Sequence, residues 1–151
     1  MKKFKFKLEN ILKLREFEEY KERVKLGKIN QQMYGLDEEV KRLNEDMSKV
    51  YQAQEQNLKK NIQAKDVYLY EYWIRSLRGH IVELESKKEK LNKEYQEQLK
   101  IMLAQRNKVK ILENLKERAK IGFKKEKIKE EDSKLDYLIS SSHPYTENNN
   151  R

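Results

Sequence analysis

The chain has 151 residues, of which 40% are charged and 36% hydrophobic, with a formal net charge of +9. That is too little apolar material for a globular core, yet the apolar residues recur too regularly for a disordered chain. With no cysteine there is no disulfide framework and no thiolate metal site, which fits a reducing cytosol, and no apolar run approaches the roughly 20 residues that span a bilayer.

The N-terminus, Met1 to Leu8, alternates Lys with Phe and Leu. No apolar stretch follows it, so it does not read as a secretory signal. A first helix is predicted over about residues 4–58. Its core is a ladder at alternating three- and four-residue steps: Leu26, Ile29, Met33, Leu36, Val40, Leu43, Met47 and Val50. Toward the N-terminus the same ladder passes through Glu22, Glu19 and Arg15 before apolar Leu12 and Leu8 return. A second stripe, Ile11, Leu14, Phe17, Tyr20 and Val24, is offset from the first. Either the coiled coil stutters there or those residues face a different partner.

The seam lapses at Gln54, Asn57 and Asn61, which places a bend between about residues 57 and 66, with Asp66 as the cap of a new helix. The run Val67 to Trp73 has local strand character, but the helical period resumes from Tyr70 and overrules it. The second helix is predicted over about residues 66–138. Its ladder of Tyr70, Ile74, Leu77, Ile81, Leu84, Lys88, Leu91 and Tyr95 steps in mirror order to the first, so that Val50 faces Ile74 and Ile29 faces Tyr95. A mean step of about 3.5 residues keeps each stripe on one side of its helix. The fold class that follows is all-α: a long antiparallel two-helix coiled-coil hairpin spanning residues 1–139, its register fixed to within one heptad. Beyond Tyr95 the ladder weakens through Gln98, Met102, Gln105, Val109, Leu112, Lys116 and Ala119, so packing is expected to loosen there. The four glycines stand singly in helical pattern and read as tolerated defects.

At the open end of the hairpin Lys2, Lys3, Lys5 and Lys7 would lie beside Lys116, Arg118, Lys120, Lys124, Lys125, Lys127 and Lys129. Such a field suits acidic protein surfaces, anionic lipid or nucleic acid, or is a solvated face. After Leu135, Leu138 and Ile139 the pattern dissolves, and residues 140–151 are expected to be disordered.

The chain carries no glycine-rich phosphate loop, no nucleophile with a plausible base and no metal-spaced cluster, so neither an enzyme nor a cofactor is expected. His80 and His143 read as packing or solvent residues. Tyr68, Tyr70, Tyr72 and Trp73 crowd the start of the second helix, with Tyr51 across the bend. A two-helix coil lacks a third layer to bury them, which suggests a protein-binding hot spot, unless Tyr70 and Trp73 merely close the seam.

Three segments carry a family resemblance: Phe4-Lys5-Phe6-Lys7-Leu8-Glu9-Asn10-Ile11-Leu12-Lys13-Leu14-Arg15-Glu16, then Tyr72-Trp73-Ile74-x-x-Leu77-x-x-x-Ile81, then Glu131-x-x-x-Leu135-Asp136-Tyr137-Leu138. Together they resemble the FliJ family of flagellar type III export proteins, over residues 2 to about 139. The resemblance implies a monomeric coiled coil similar to the ATP synthase gamma-subunit stalk, without a membrane span, at the cytoplasmic side of the inner membrane. It further implies that the open end enters the ring of the hexameric export ATPase FliI, that the bend end contacts the export gate protein FlhA, and that export chaperones are partners. By residue matching, the ATPase-facing set is Phe4, Phe6, Leu8, Ile11, Leu12, Lys120, Lys124, Lys125, Lys127 and Lys129. The gate-facing set is Leu43, Val50, Trp73 and Leu77, while Asp46 and His80 stand where the family is apolar or aromatic. Two readings from other classes remain beside this one. One is a coiled-coil homodimer scaffold; the other is a basic nucleic-acid-binding hairpin, disfavoured because the aromatics lie away from the lysine clusters.

Overall fold

A computed structural model describes residues 2–60 and 63–142 of the chain. Two helices account for nearly all of it: α1, Glu9–Leu58 (50 residues), and α2, Ala64–Ser142 (79 residues). Packing along the seams supplies most of the stability of α1 and of α2 as far as Phe123, beyond which α2 has no buried face. The chain divides into two compact units, one comprising Met1–Glu18 with Gln105–Arg151 and the other Glu19–Ala104.

In the Glu19–Ala104 unit the two helices run antiparallel. The ladder positions of α1, from Leu26 to Val50, are all half-buried, and Ile74, Ile81, Leu84 and Met102 of α2 are buried. Cross-helix pairs fix the register. Asn57 donates to the Tyr70 hydroxyl, Arg78 donates to the Tyr51 hydroxyl at 2.9 Å, and Lys88 pairs with Asp37. These pairs fit the arrangement in which Val50 lies opposite Ile74. Lys88, a break in the apolar ladder, lays its stem along the seam and reaches the carboxylate of Asp37 beside seam residue Leu36. Gln98 donates to the Glu22 main-chain carbonyl at 3.1 Å and also to its carboxylate.

Between the helices, Lys60 N donates to Asn57 O and Asp66 N to Gln63 O, both at 3.0 Å. The expected seam lapse at Asn61 lies outside the described residues. Asp66 falls inside the first turn of α2 rather than at its cap, where its carboxylate still complements the exposed amides of the helix start.

In the other unit, residues 2–6 have no helical structure and α1 begins at Glu9, later than the sequence pattern suggested. The reason lies in the alternation. Phe4, Phe6 and Leu8 are half-buried while Lys3, Lys5 and Lys7 are exposed, a period-two pattern that suits an extended strap and cannot serve a helix. The Phe4 ring packs on Phe123 of α2, centroids 5.7 Å apart at 58°. Glu9 N then donates to Phe6 O at 3.2 Å and Leu12 N to Leu8 O at 2.8 Å as the helix starts. Leu12 and Val109 form the buried seam, 3% and 4% exposed. Around them the seam is partly polar, with Lys116 Nζ 2.8 Å from Glu9 Oε2 and Gln105 Oε1 buried without a hydrogen-bond partner among the described residues.

At the other end of α2, residues 140–142 are helical where disorder was expected. The Ser140, Ser141 and Ser142 hydroxyls donate to the carbonyls of Tyr137, Leu138 and Ile139 at 2.9–3.0 Å, a local bond that extends the last turn. The rest of the expected disordered tail, with His143, lies outside the described residues.

Candidate partner-binding surfaces

The first surface belongs to the unit containing the N-terminal strap. Strap and helix α2 together line a shallow groove with Phe4, Lys5, Phe6, Glu9, Lys116 and Lys120. Lys2 and Lys127 border another with Phe123. From residue 124 to residue 142 every position of α2 is exposed, so Lys124, Lys125, Lys127 and Lys129 stand on a helix with solvent around it. Lysines on such a surface are compact cations on flexible stems, suited to long-range attraction more than to fixed geometry. Glu9 is drawn into this field. Its hydrogen bond from Lys116 holds the carboxyl below its ordinary value of 4.5, against partial desolvation.

Of the residues assigned to this surface, Phe4, Phe6 and Leu8 are half-buried and Ile11 is 46% exposed. Leu12 is a seam residue at 3% exposure and supports the surface from beneath instead of forming part of it. The offset stripe of Ile11, Leu14, Phe17, Tyr20 and Val24 is exposed throughout, so α1 keeps its original seam with no stutter. Phe123 was legible but overlooked: it is the next rung of the ladder after Ala119.

The second surface belongs to the Glu19–Ala104 unit. Tyr68, Tyr72 and Trp73 are 72%, 68% and 44% exposed, and Leu58 and Leu69 are exposed as well. Ile74, one residue on, is buried at 8%. The Trp73 ring stands edge-on to Tyr70, centroids 5.8 Å apart at 82°, and Tyr70 is anchored in turn by Asn57. This contact stiffens an exposed indole on a rigid helix, which is the condition under which an aromatic anchor binds at little entropic cost. Leu43, Val50 and Leu77, assigned with Trp73, are half-buried seam positions, so Trp73 is the most accessible member of that set. His80 lies 3.8 Å from Glu39 and 3.9 Å from Glu83 on an exposed part of α2. Among the described residues no group of His, Cys, Asp and Glu has the spacing to hold a metal, and no helix is long and apolar enough to cross a membrane.

The family model described as flagellar FliJ protein matches residues 4–143. No curated protein and no solved structure matches the chain. The match covers nearly the whole chain, and the two-helix fold agrees with it; the chain belongs to the FliJ family and is a component of the flagellar export apparatus.

Proposed function

We propose that the chain is a non-enzymatic coupling protein that binds the ring of the export ATPase FliI with its strap-bearing unit, binds the export gate FlhA with its aromatic surface, and handles export chaperones at the cytoplasmic face of the inner membrane. The observation that carries this reading is the segregation of chemistry between the units. One presents lysines around a half-buried aromatic strap, the other a tyrosine and tryptophan cluster on a stiff helix pair. Two recognition chemistries on one chain are what a linker between two machines requires, since each partner must be gripped without occupying the other's surface.

The ATPase-facing residues in this reading are Phe4, Phe6, Leu8 and Ile11 with Lys120, Lys124, Lys125, Lys127 and Lys129, and Leu12 holds them in place. Trp73 leads the gate contact, and Leu43, Val50 and Leu77 contribute the edges of the seam that solvent reaches. The test is calorimetric titration of the purified chain with FliI and with the cytoplasmic part of FlhA. Binding of both is the expected outcome, with Trp73→Ala losing FlhA alone. Loss of both partners on that substitution, with the fold intact, would defeat the two-surface assignment.

A further inference from the structure

In the strap-bearing unit the two flanks of the helix pair differ in kind. With Glu9 opposite Lys116 and the strap's Phe4 on Phe123, the register brings Ile11 of α1 close to Leu115 of α2 and Leu14 close to Ile111 on one flank of the buried Leu12 and Val109. These four are 46%, 42%, 55% and 61% exposed. The opposite flank at the same level carries Glu9, Lys13 and Glu16 from α1 and Lys110, Glu113, Glu117 and Lys120 from α2. In a two-helix pair the positions beside the seam face water and are ordinarily charged, as they are on that second flank. Four large aliphatic side chains from two helices, confined to one side over about one turn of each helix, form instead a floor on which a third helix packs.

The rim of the aliphatic flank is basic. Lys7, Lys108, Arg118 and Lys125 occupy the positions around it, and the single carboxylate there, Glu18, is taken up by Arg15 at 3.0 Å. A second copy of this chain would bring the same cations against themselves. A bilayer is held by an apolar stripe running along a helix, which a patch of about one turn does not supply, whereas exposed aliphatics on two adjacent helices offer the shallow floor that an amphipathic helix fills. We infer that this flank binds an amphipathic helix of a partner protein whose apolar stripe covers Ile11, Leu14, Ile111 and Leu115 and whose flanking residues are acidic. This goes beyond the ATPase and gate contacts proposed above: Ile11 and Lys125 are shared with the ATPase-facing set, while Leu14, Ile111, Leu115, Lys108 and Arg118 belong to neither contact.

The experiment uses the full chain and two synthetic helical peptides. Both carry Leu at i, i+3, i+4 and i+7; one has Glu on the flanks of that stripe and the other Lys. Fluorescence anisotropy should show the acidic peptide binding roughly tenfold or more tightly than the basic one, with binding weakened by salt. Leu14→Ser combined with Ile111→Ser should reduce acidic-peptide binding by a similar factor while helicity and melting stay unchanged, because both side chains are exposed. Lys108→Glu combined with Arg118→Glu should narrow the preference for the acidic peptide. Equal binding of the two peptides would overturn the inference, as would an unaffected Leu14→Ser, Ile111→Ser protein. So would a flank that mediates self-association by sedimentation, or one whose substitutions change binding to phosphatidylglycerol vesicles and not to peptide. No export protein enters the assay, so its failure and that of the proposed coupling function are separate results.

Discussion

The two units are built from the same helices and spend their apolar residues differently. In the Glu19–Ala104 unit the seam is apolar from Leu26 to Val50 and from Tyr70 to Tyr95 except at Lys88, which pairs with Asp37, and it is buried at Ile74, Ile81 and Leu84. The strap-bearing unit has a seam reduced to Leu12, Val109 and half-buried neighbours, with Gln105 and Lys116 set among them. Its remaining aliphatic residues, from Ile11 to Ile139, face outward. The comparison teaches that the first unit spends more of its apolar side chains on its own seam, whereas the second leaves most of its aliphatic side chains at the surface. In both, buried and exposed apolar residues are neighbours in sequence, one helical step apart.

The largest effect should therefore come from the continuous seam. Leu84 is 3% exposed, and Leu84→Ala should cost about 2–5 kcal/mol, the usual loss for a buried leucine, read as a lower midpoint in urea. Trp73→Ala, at an indole already 44% exposed, should leave that midpoint nearly unchanged. Its loss should appear instead in FlhA binding, at about 2 kcal/mol or a thirtyfold weaker complex. A Trp73→Ala protein that unfolds as readily as Leu84→Ala would place the ring in the core and dissolve the distinction between shape and contact.

The cationic unit should respond to charge with a smaller change. Replacing Lys124, Lys125 and Lys127 by Glu reverses the field on an exposed stretch of α2 and should weaken FliI binding by about tenfold at low salt, the difference shrinking as salt rises. Circular dichroism should barely move. An unchanged FliI titration would remove these lysines from the contact and leave the strap to carry it.

How much of this the sequence discloses depends on which force decides each residue. The seam was legible because burial imposes a period: every rung from Leu26 to Val50 and from Tyr70 to Tyr95 is at least half-buried. The outward stripe of Ile11, Leu14 and Val24 was legible as an offset, but sequence alone left open whether it entered the seam. The expected α1 start near residue 4 lies five residues before the observed Glu9, because the alternation of Phe4, Phe6 and Leu8 with lysines suits an extended segment and not a helix. The helical end at Ser142 was missed because serine reads as a breaker until its hydroxyl is seen bonded to the turn before it. The flank formed by Ile11, Leu14, Ile111 and Leu115 needs the register of two distant segments, and no local pattern contains that information.

Gln105 offers a gentler probe of the same comparison. Its Oε1 is buried with no hydrogen-bond partner among the described residues, in a seam position equivalent to Leu84 and Leu91 of the other unit. Gln105→Leu removes an unsatisfied acceptor and adds apolar burial, so it should raise stability by about 1 kcal/mol. The midpoint of urea unfolding is the readout. A destabilised Gln105→Leu protein would show that the amide is satisfied in solution and that the polar seam is an organised feature.

Acidification should have the smallest effect, and it reads both units at once. Glu9 in the strap-bearing unit is held below 4.5 chiefly by its hydrogen bond from Lys116, and Glu22 in the other unit chiefly by its hydrogen bond from Gln98. A carboxyl whose folded value is depressed stabilises the fold at every pH above its unfolded value, and that contribution disappears as pH falls through the folded one. Between neutral pH and about pH 3, Glu9→Gln and Glu22→Gln should each lose less melting temperature than the wild-type chain, since each lacks one group that titrates. Both side chains remain partly exposed, so the differences should be slight, but they should not be equal under salt. The Glu9 contribution is an ion pair with Lys116 and should shrink when salt is added, while the Glu22 contribution comes first from a neutral amide and should persist. If salt erased both differences alike, the Glu22–Gln98 hydrogen bond would have no independent role, and the contrast between a charge-held and an amide-held carboxylate would fall.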